Sequence, residues 1–162
     1  MRTLFILRHS KSGHDQPVLD RERTLSPRGR KDARRMGELA RARNLLPDRV
    51  LCSTATRARE THECFALGAD LSVPVDFLDG LYLAGPAEIL REVRAHAKSS
   101  ERVMVVGHNP GLEGLVAQLT GEPVEFGTST LAECTLPIRN WSALDRETTA
   151  TLRAILCPKD ER

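Results

Sequence analysis

The chain has 162 residues, 40% of them hydrophobic and 28% charged, which is ordinary globular composition and rules out disorder or collagen-like repeats for the chain as a whole. A chain this long buries roughly 70% of the surface its unfolded form exposes, so a core holds without disulfide or metal staples. The net charge of +2 is too small to argue for nucleic acid or an anionic membrane as a partner.

Thr3 to Leu7 is a short apolar run that ends at Arg8-His9-Ser10 and reads as a buried first strand. A polar stretch from Lys11 to Thr24, with Gly13 and Pro17, reads as a loop. Ser26-Pro27 is a helix start, with Ser26 at the cap and Pro27 at the first helical position. That helix carries Ala33, Met36, Leu39 and Ala40 on one face and ends near Asn44. Arg49 to Ser53 reads as a second strand, followed by a helix from Thr56 to Leu67. Val73 to Leu78 reads as a short extended segment. Pro86 opens a helix with Ile89, Leu90 and Val93 on its apolar face. Arg102 to Val106 is the strongest buried-strand signal, and Pro110 opens a helix through Leu119. Leu131 to Ile138 and Ala150 to Leu156 read as the last two strands. This alternation predicts a single domain over 1–162, an α/β three-layer sandwich with a mostly parallel sheet and helices on both faces.

No apolar run approaches the ~18 residues of a membrane span, and the stretch Met1 to Leu7 is too short for a signal peptide. A cytoplasmic location is the expectation. Of the 24 basic residues 20 are Arg, a compositional bias, so an individual arginine carries meaning only inside a motif. Cys52, Cys64, Cys134 and Cys157 form no CxxC pair and no zinc pattern. Cys52, Cys134 and Cys157 lie in apolar runs and read as buried free thiols.

Two places in the chain repeat one arrangement. Leu4-Phe5-Ile6-Leu7-Arg8-His9 and Val103-Met104-Val105-Val106-Gly107-His108-Asn109-Pro110 each place a His at the carboxyl end of an apolar strand. Ligands of open α/β sheets sit beyond those strand ends. The strand ending at Ser53 leads into Thr54-Ala55-Thr56-Arg57-Ala58-Arg59 and brings an Arg to the same edge. Two His and two Arg together suit an anion, phosphate above all, because the guanidinium fork matches phosphate oxygens. The helix N-terminus near Pro110 is expected to add free backbone N–H groups. A neutral imidazole can attack phosphorus and give a phosphohistidine that water hydrolyses. Taken alone, a strand-end His is more often structural, and Gly-His-Asn-Pro can be a simple turn.

These motifs resemble the histidine phosphatase superfamily, whose hallmark is an Arg-His pair after the first strand. Here the pair stands in Leu7-Arg8-His9-Ser10-Lys11-Ser12, a form similar to the small SixA-like phosphohistidine phosphatases. Asp20 to Gly29, Ser53-Thr54-Ala55-Thr56-Arg57-Ala58-Arg59-Glu60-Thr61, Leu81-Tyr82-Leu83-Ala84 and Val106 to Pro110 agree with that branch. The likeness runs from residue 3 to about residue 136. It implies a phosphoglycerate mutase-like fold with His9 as nucleophile. Arg8, Arg57 and His108 complete the phosphate pocket, and Ser12 and Asn109 are adjacent substrate-binding contributors. Lys11 stands at the rim or in solvent, and Arg59 in solvent.

Larger members of the superfamily hold a carboxylate acid between the Arg57-type motif and the second His. Asp79 and Glu88 are the candidates here, and neither sits in a recognisable motif. Glu88 also reads as an ordinary first-turn helix residue. An alkyl phosphoester expels a poor alkoxide and needs a proton donor. Phosphohistidine expels an imidazole, whose other nitrogen can carry a proton and titrates near ~6.5. A phosphoramidate or an activated ester is therefore favoured over a sugar phosphate. His14 reads as an exposed loop residue, and His62 and His96 as helix residues. No His/Asp/Glu cluster has metal-ligand spacing, so no metal or cofactor is expected. The expectation is a metal-independent phosphatase acting on protein phosphohistidine, as a monomer or weak dimer. The alternatives are a small-molecule phosphomonoesterase and a non-catalytic phosphate-sensing or protein-binding module.

Overall fold

The computed structural model describes residues 1–13 and 16–161. His14 lies outside the described residues. Ten regular elements alternate along the chain: β1 (Arg2–Arg8), α1 (Pro27–Ala42), β2 (Arg49–Ser53), α2 (Thr56–Ala69), β3 (Val75–Leu78), α3 (Pro86–His96), β4 (Arg102–Gly107), α4 (Gly111–Thr120), β5 (Leu131–Leu136) and β6 (Thr151–Leu156). The strands form one sheet in the order β3-β2-β4-β1-β5-β6. β3, β2, β4 and β1 pair in parallel. β5 and β6 continue the sheet in antiparallel pairings.

Side-chain alternation along β1 splits the core into two layers. Leu4 and Ile6 pack with Ile89, Leu90 and Val93 of α3 and Leu112, Leu115 and Leu119 of α4. Phe5 and Leu7 face the other way, onto Met36, Leu39 and Ala40 of α1 and Phe65 of α2. Helices thus cover both faces. A strand buried on both faces needs the unbroken apolar run seen in β1 and β4 rather than an alternating one.

Register decides where the site lies. Arg8 of β1 stands opposite Gly107 of β4, so His9 and His108 leave the sheet side by side. Cys52 of β2 stands opposite Val106, which brings Ser53 level with Gly107. α2 starts three residues later and carries Arg57 in its first turn.

The chain after β1 is seated on the start of α1. Ser26 caps α1 by accepting the Gly29 N–H at 3.1 Å, as Ser-Pro at a helix start implies. Its own N–H and hydroxyl donate to the Lys11 carbonyl at 2.9 and 3.1 Å. A Cβ on Gly29 would stand 2.1 Å from that carbonyl oxygen. Glycine is what allows the helix to approach the backbone two residues from His9. Gly29→Ala is therefore expected to cost about 1–3 kcal/mol, through displacement of backbone from backbone. The measurement is the urea midpoint at constant m-value. A wild-type midpoint would show that the Lys11 segment yields freely.

Several boundaries differ from the sequence reading. β5 stops at Leu136 rather than Ile138, because Pro137 has no N–H for the ladder. β3 starts at Val75, two residues later than expected. α2 runs on to Ala69 and ends where Asp70 turns left-handed, with φ of 50°. Pro110 caps α4 instead of opening it. The polar stretch after His9 is not featureless: Ser12 bridges Leu25, and Asp20–Glu22 forms a 3-10 turn. Cys52 and Cys134 are buried free thiols, but Cys157 is only half-buried because it lies just beyond the end of β6.

Candidate active site

His9 is held by its backbone on both sides. Its N–H donates to the Gly107 carbonyl at 3.1 Å, and its carbonyl accepts the Ser129 N–H at 3.2 Å. The next residue is fixed as well: the Ser10 N–H donates to Thr61 Oγ1 at 2.8 Å, and its hydroxyl meets that of Ser129 at 2.5 Å. The ring is positioned by the Ser10 carbonyl, 2.8 Å from Nδ1. A carbonyl can only accept, so Nδ1 carries the proton and the lone pair lies on Nε2. Burial pushes the His9 ring down to about 4, and Arg57 and Arg8 push the same way. The imidazole is neutral at physiological pH, which is the state that can attack an electrophile.

His108 lies beside it, with ring centroids 5.2 Å apart. Its Nε2 is 2.8 Å from Ser53 Oγ, and its Nδ1 is 3.5 Å from Nη2 of Arg57. The guanidinium can only donate, so Nδ1 accepts and Nε2–H points to Ser53. Burial, then His9 and Arg57, depress His108 to about 3. Tyr82 packs edge-on against this ring at 5.5 Å.

The two arginines approach from opposite sides. Arg8 Nη1 donates to the Phe126 carbonyl at 2.8 Å, which ties β1 to the segment before β5. Asn109 Nδ2 donates to that same carbonyl at 2.8 Å and to Glu113 at 2.9 Å, and Glu113 also accepts the Phe126 N–H. Asn109 therefore fixes the wall behind Arg8. Arg57 is 3% exposed and donates to the backbone carbonyl of Asp20 at 2.8 Å and to its carboxylate at 3.1 Å. The Nε groups of Arg8 and Arg57 are buried without a hydrogen-bond partner among the described residues. Both guanidinium groups belong to residues that line one cleft, and two cations there make a place for an anion.

Arg8, His9, Ser12, Arg57, His108 and Asn109 all line one cleft of about 570 Å³. Lys11 stands on its rim, whereas Arg59 lies elsewhere, stacked over Phe77 at 4.2 Å. Ser12 accepts from Arg23 Nη1 at 2.8 Å. His62 is buried on α2 against Phe77, and His96 pairs with Glu92 on α3, both away from the cleft.

The two carboxylates singled out as proton donors are not brought to the cleft. Asp79 is exposed and accepts from Thr54 Oγ1 at 2.7 Å and from Arg21, contacts that hold its pKa below the usual carboxylate value. Glu88 is exposed in the first turn of α3. The carboxylate that does line the cleft is Asp20, together with Arg23, Leu83 and Thr128. Two of the amides expected to be free at the start of α4 are taken. The Leu112 and Glu113 N–H groups bond to the His108 carbonyl and to Asn109 Oδ1. Among the described residues, no group of three or more His, Cys, Asp or Glu side chains is placed to hold a metal ion.

Residues 4–82 match the sequence family described as the histidine phosphatase superfamily, branch 1. A structure from Nakamurella multipartitia, assigned as a phosphohistidine phosphatase SixA, superposes with a TM-score of 0.87 at 30% identity, covering 98% of this chain and 96% of that one. The chain belongs to the histidine phosphatase superfamily. It is a SixA-like member of it, a phosphatase with a phosphoglycerate mutase-like α/β sandwich. The protein histidine phosphatase SixA, solved with tungstate, matches this histidine phosphatase at TM-score 0.77 and 28% identity over 96% of this chain and 97% of that one. An uncharacterized protein of Mycobacterium tuberculosis is 34% identical over 113 residues, 70% of this chain and 69% of that protein. No helix among the described residues is long and apolar enough to cross a membrane.

The depressed imidazoles have a measurable consequence. Attack requires His9 unprotonated, and its value of about 4 lies below the ordinary 6.5. The proton therefore goes on only as pH falls through about 4, and activity holds from neutrality down to about pH 5. NMR titration of the ring is expected to show that acidic midpoint. A midpoint between 6 and 7 contradicts it.

Proposed function

We propose that this phosphatase hydrolyses protein phosphohistidine, without a metal, through a phosphoryl group carried transiently on His9. The observation that carries the reading is the neutral His9 ring, its proton fixed on Nδ1 by Ser10, in a cleft with two arginines. The Nε2 lone pair attacks phosphorus and the bond to the leaving group breaks. Arg8 and Arg57 stabilise charge on the equatorial oxygens, the role a metal fills in other phosphoryl-transfer sites. His108 gains a proton most readily once a dianion enters, because the negative charge opposes the burial and cationic neighbours that depress it. Water then attacks the phosphohistidine on His9 and releases phosphate.

The tungstate in the related SixA is a tetrahedral oxyanion, consistent with a site of this kind. A protein-borne substrate suits the rim, where Lys11 and Leu83 are exposed and Leu83 is 58% accessible. A cytoplasmic location and a monomeric or weakly dimeric state belong to the same reading, as does a single domain over 1–162.

The test is phosphate release from a phosphohistidine-bearing protein in excess chelator, with His9→Ala as control. Release that depends on His9 and survives chelation supports every part of the mechanism. Release that stops in chelator removes metal independence, and no release moves the substrate to small phosphoesters.

A further inference from the structure

Asp20 is the one carboxylate among the described residues that line the cleft. It sits on the 3-10 turn Asp20–Glu22, in the polar stretch that follows the nucleophile. Its side chain is 48% exposed, whereas the Arg57 side chain it touches is 3% exposed. Asp20 therefore lies on the solvent side of the Arg57 guanidinium, at the mouth of the cleft. Three partners fix the carboxylate: Arg57 at 3.1 Å and the Tyr82 hydroxyl on Oδ2, and Arg23 Nε at 3.1 Å on Oδ1. The backbone carbonyl of Asp20 holds Arg57 independently at 2.8 Å. Every one of these partners donates, so the carboxylate acts here as an acceptor.

We propose that Asp20 is a specificity-determining catalytic residue whose carboxylate accepts the N–H of the leaving imidazole of phosphohistidine. This rests on the functional reading above. In the step, the Nε2 lone pair of His9 forms a bond to phosphorus. The bond between phosphorus and the substrate imidazole breaks, and its electron pair returns to that ring. If the far nitrogen of the ring carries a proton, the ring leaves as neutral imidazole. If it does not, the ring must leave as an anion. An acceptor at the cleft mouth favours the protonated ring and so the better leaving group.

The same carboxylate disfavours alkyl phosphoesters. Their oxygen leaving group needs a proton given to it, and Asp20 has none to give near neutrality. The Tyr82 hydroxyl, with Arg57 and Arg23, holds it ionised down to about 2. It also places a negative charge beside a guanidinium that a phosphodianion must share. Asp20 is thus a filter for substrates whose leaving group brings its own proton.

The test compares wild type and Asp20→Asn on phosphoimidazole and on p-nitrophenyl phosphate. The asparagine retains the backbone carbonyl that holds Arg57, and it removes the charge and one of the two acceptor oxygens. Loss of a charge-assisted hydrogen bond is expected to lower kcat/KM for phosphoimidazole about 10- to 100-fold. Turnover of p-nitrophenyl phosphate is expected to rise, since that leaving group offers no N–H and the dianion no longer meets a carboxylate. Asp20→Glu should recover part of the phosphoimidazole rate. If Asp20→Asn slows both substrates equally, Asp20 merely positions Arg57 and the proposal fails, while the functional reading stands. If wild type does not cleave phosphoimidazole or protein phosphohistidine at all, both fail together.

Discussion

His9→Ala lowers phosphate release by on the order of 10⁴-fold or more, with the fold and oxyanion affinity retained. No neighbouring group can take over the attack. His108 points its Nε2–H at Ser53, and its other nitrogen accepts from Arg57. Arg8 and Arg57 stay charged and keep the cleft cationic. The backbone at position 9 remains tied to Gly107 and Ser129 whatever its side chain. The variant is therefore expected to bind tungstate or phosphate in a thermal-shift or calorimetric titration while releasing almost no phosphate. Loss of the His9 ring also removes a neighbouring imidazole that opposes a proton on His108, so that ring should titrate at higher pH. A variant that keeps turnover within tenfold of wild type would end the covalent mechanism.

Arg57→Ala is expected to cost about 10³-fold or more in kcat/KM, with both kcat and KM affected. Arg57 has three connections. It holds the 3-10 turn through the Asp20 carbonyl, it donates to the Asp20 carboxylate, and it is within reach of His108. Transition-state charge on phosphorus loses a stabilising fork, which shows in kcat. The Asp20 turn loses its main tether, which shows in KM. Arg57→Lys should not recover the activity, because an ammonium cannot hold the carbonyl, the carboxylate and a phosphate oxygen in one plane. An effect confined to KM would mean that Arg57 binds the ground state and transition state alike.

The strand-end residues were legible because one-dimensional signals mark them. An apolar run that stops at Arg8-His9, and another that stops at Gly107-His108, specify strands whose ends bear chemistry. Parallel pairing then makes His9 and His108 neighbours. Arg57 was legible because the motif after Ser53 starts a helix at the same edge. Asp20, Arg23 and Tyr82 lie in segments that resemble the family, yet the sequence shows no role for them. Asp20 and Arg23 reach the cleft from a 3-10 turn and its flank, and Tyr82 touches Asp20 and His108 from a turn before α3, where no periodicity says which way a side chain points. Asp79 and Glu88 stood out by position along the chain, which carries no information about direction in space. Asp79 turns to Thr54 and Arg21, and Glu88 to solvent. The antiparallel end of the sheet follows from Leu131 to Leu136 and Thr151 to Leu156, but only the folded chain shows that the loop before β5 closes over Arg8.

The strand order carries a consequence for synthesis. β4 is inserted between β1 and β2, so the strand that bears Arg8 and the one that leads to Arg57 never touch each other. Sheet pairing does not join them within the first hundred residues; the Ser10–Thr61 hydrogen bond and the Arg57–Asp20 contacts do, across the layer of α1 and α2. The family match ends at residue 82, before the strand that joins them. The strand that seats both parts in one sheet, residues 102–107, lies further along the chain than all of those contacts. That late, long-range pairing is the slow kind. A chain cut after α3 lacks His108 and the strand between β1 and β2, so it is expected to leave the phosphate site incomplete and to bind an oxyanion poorly.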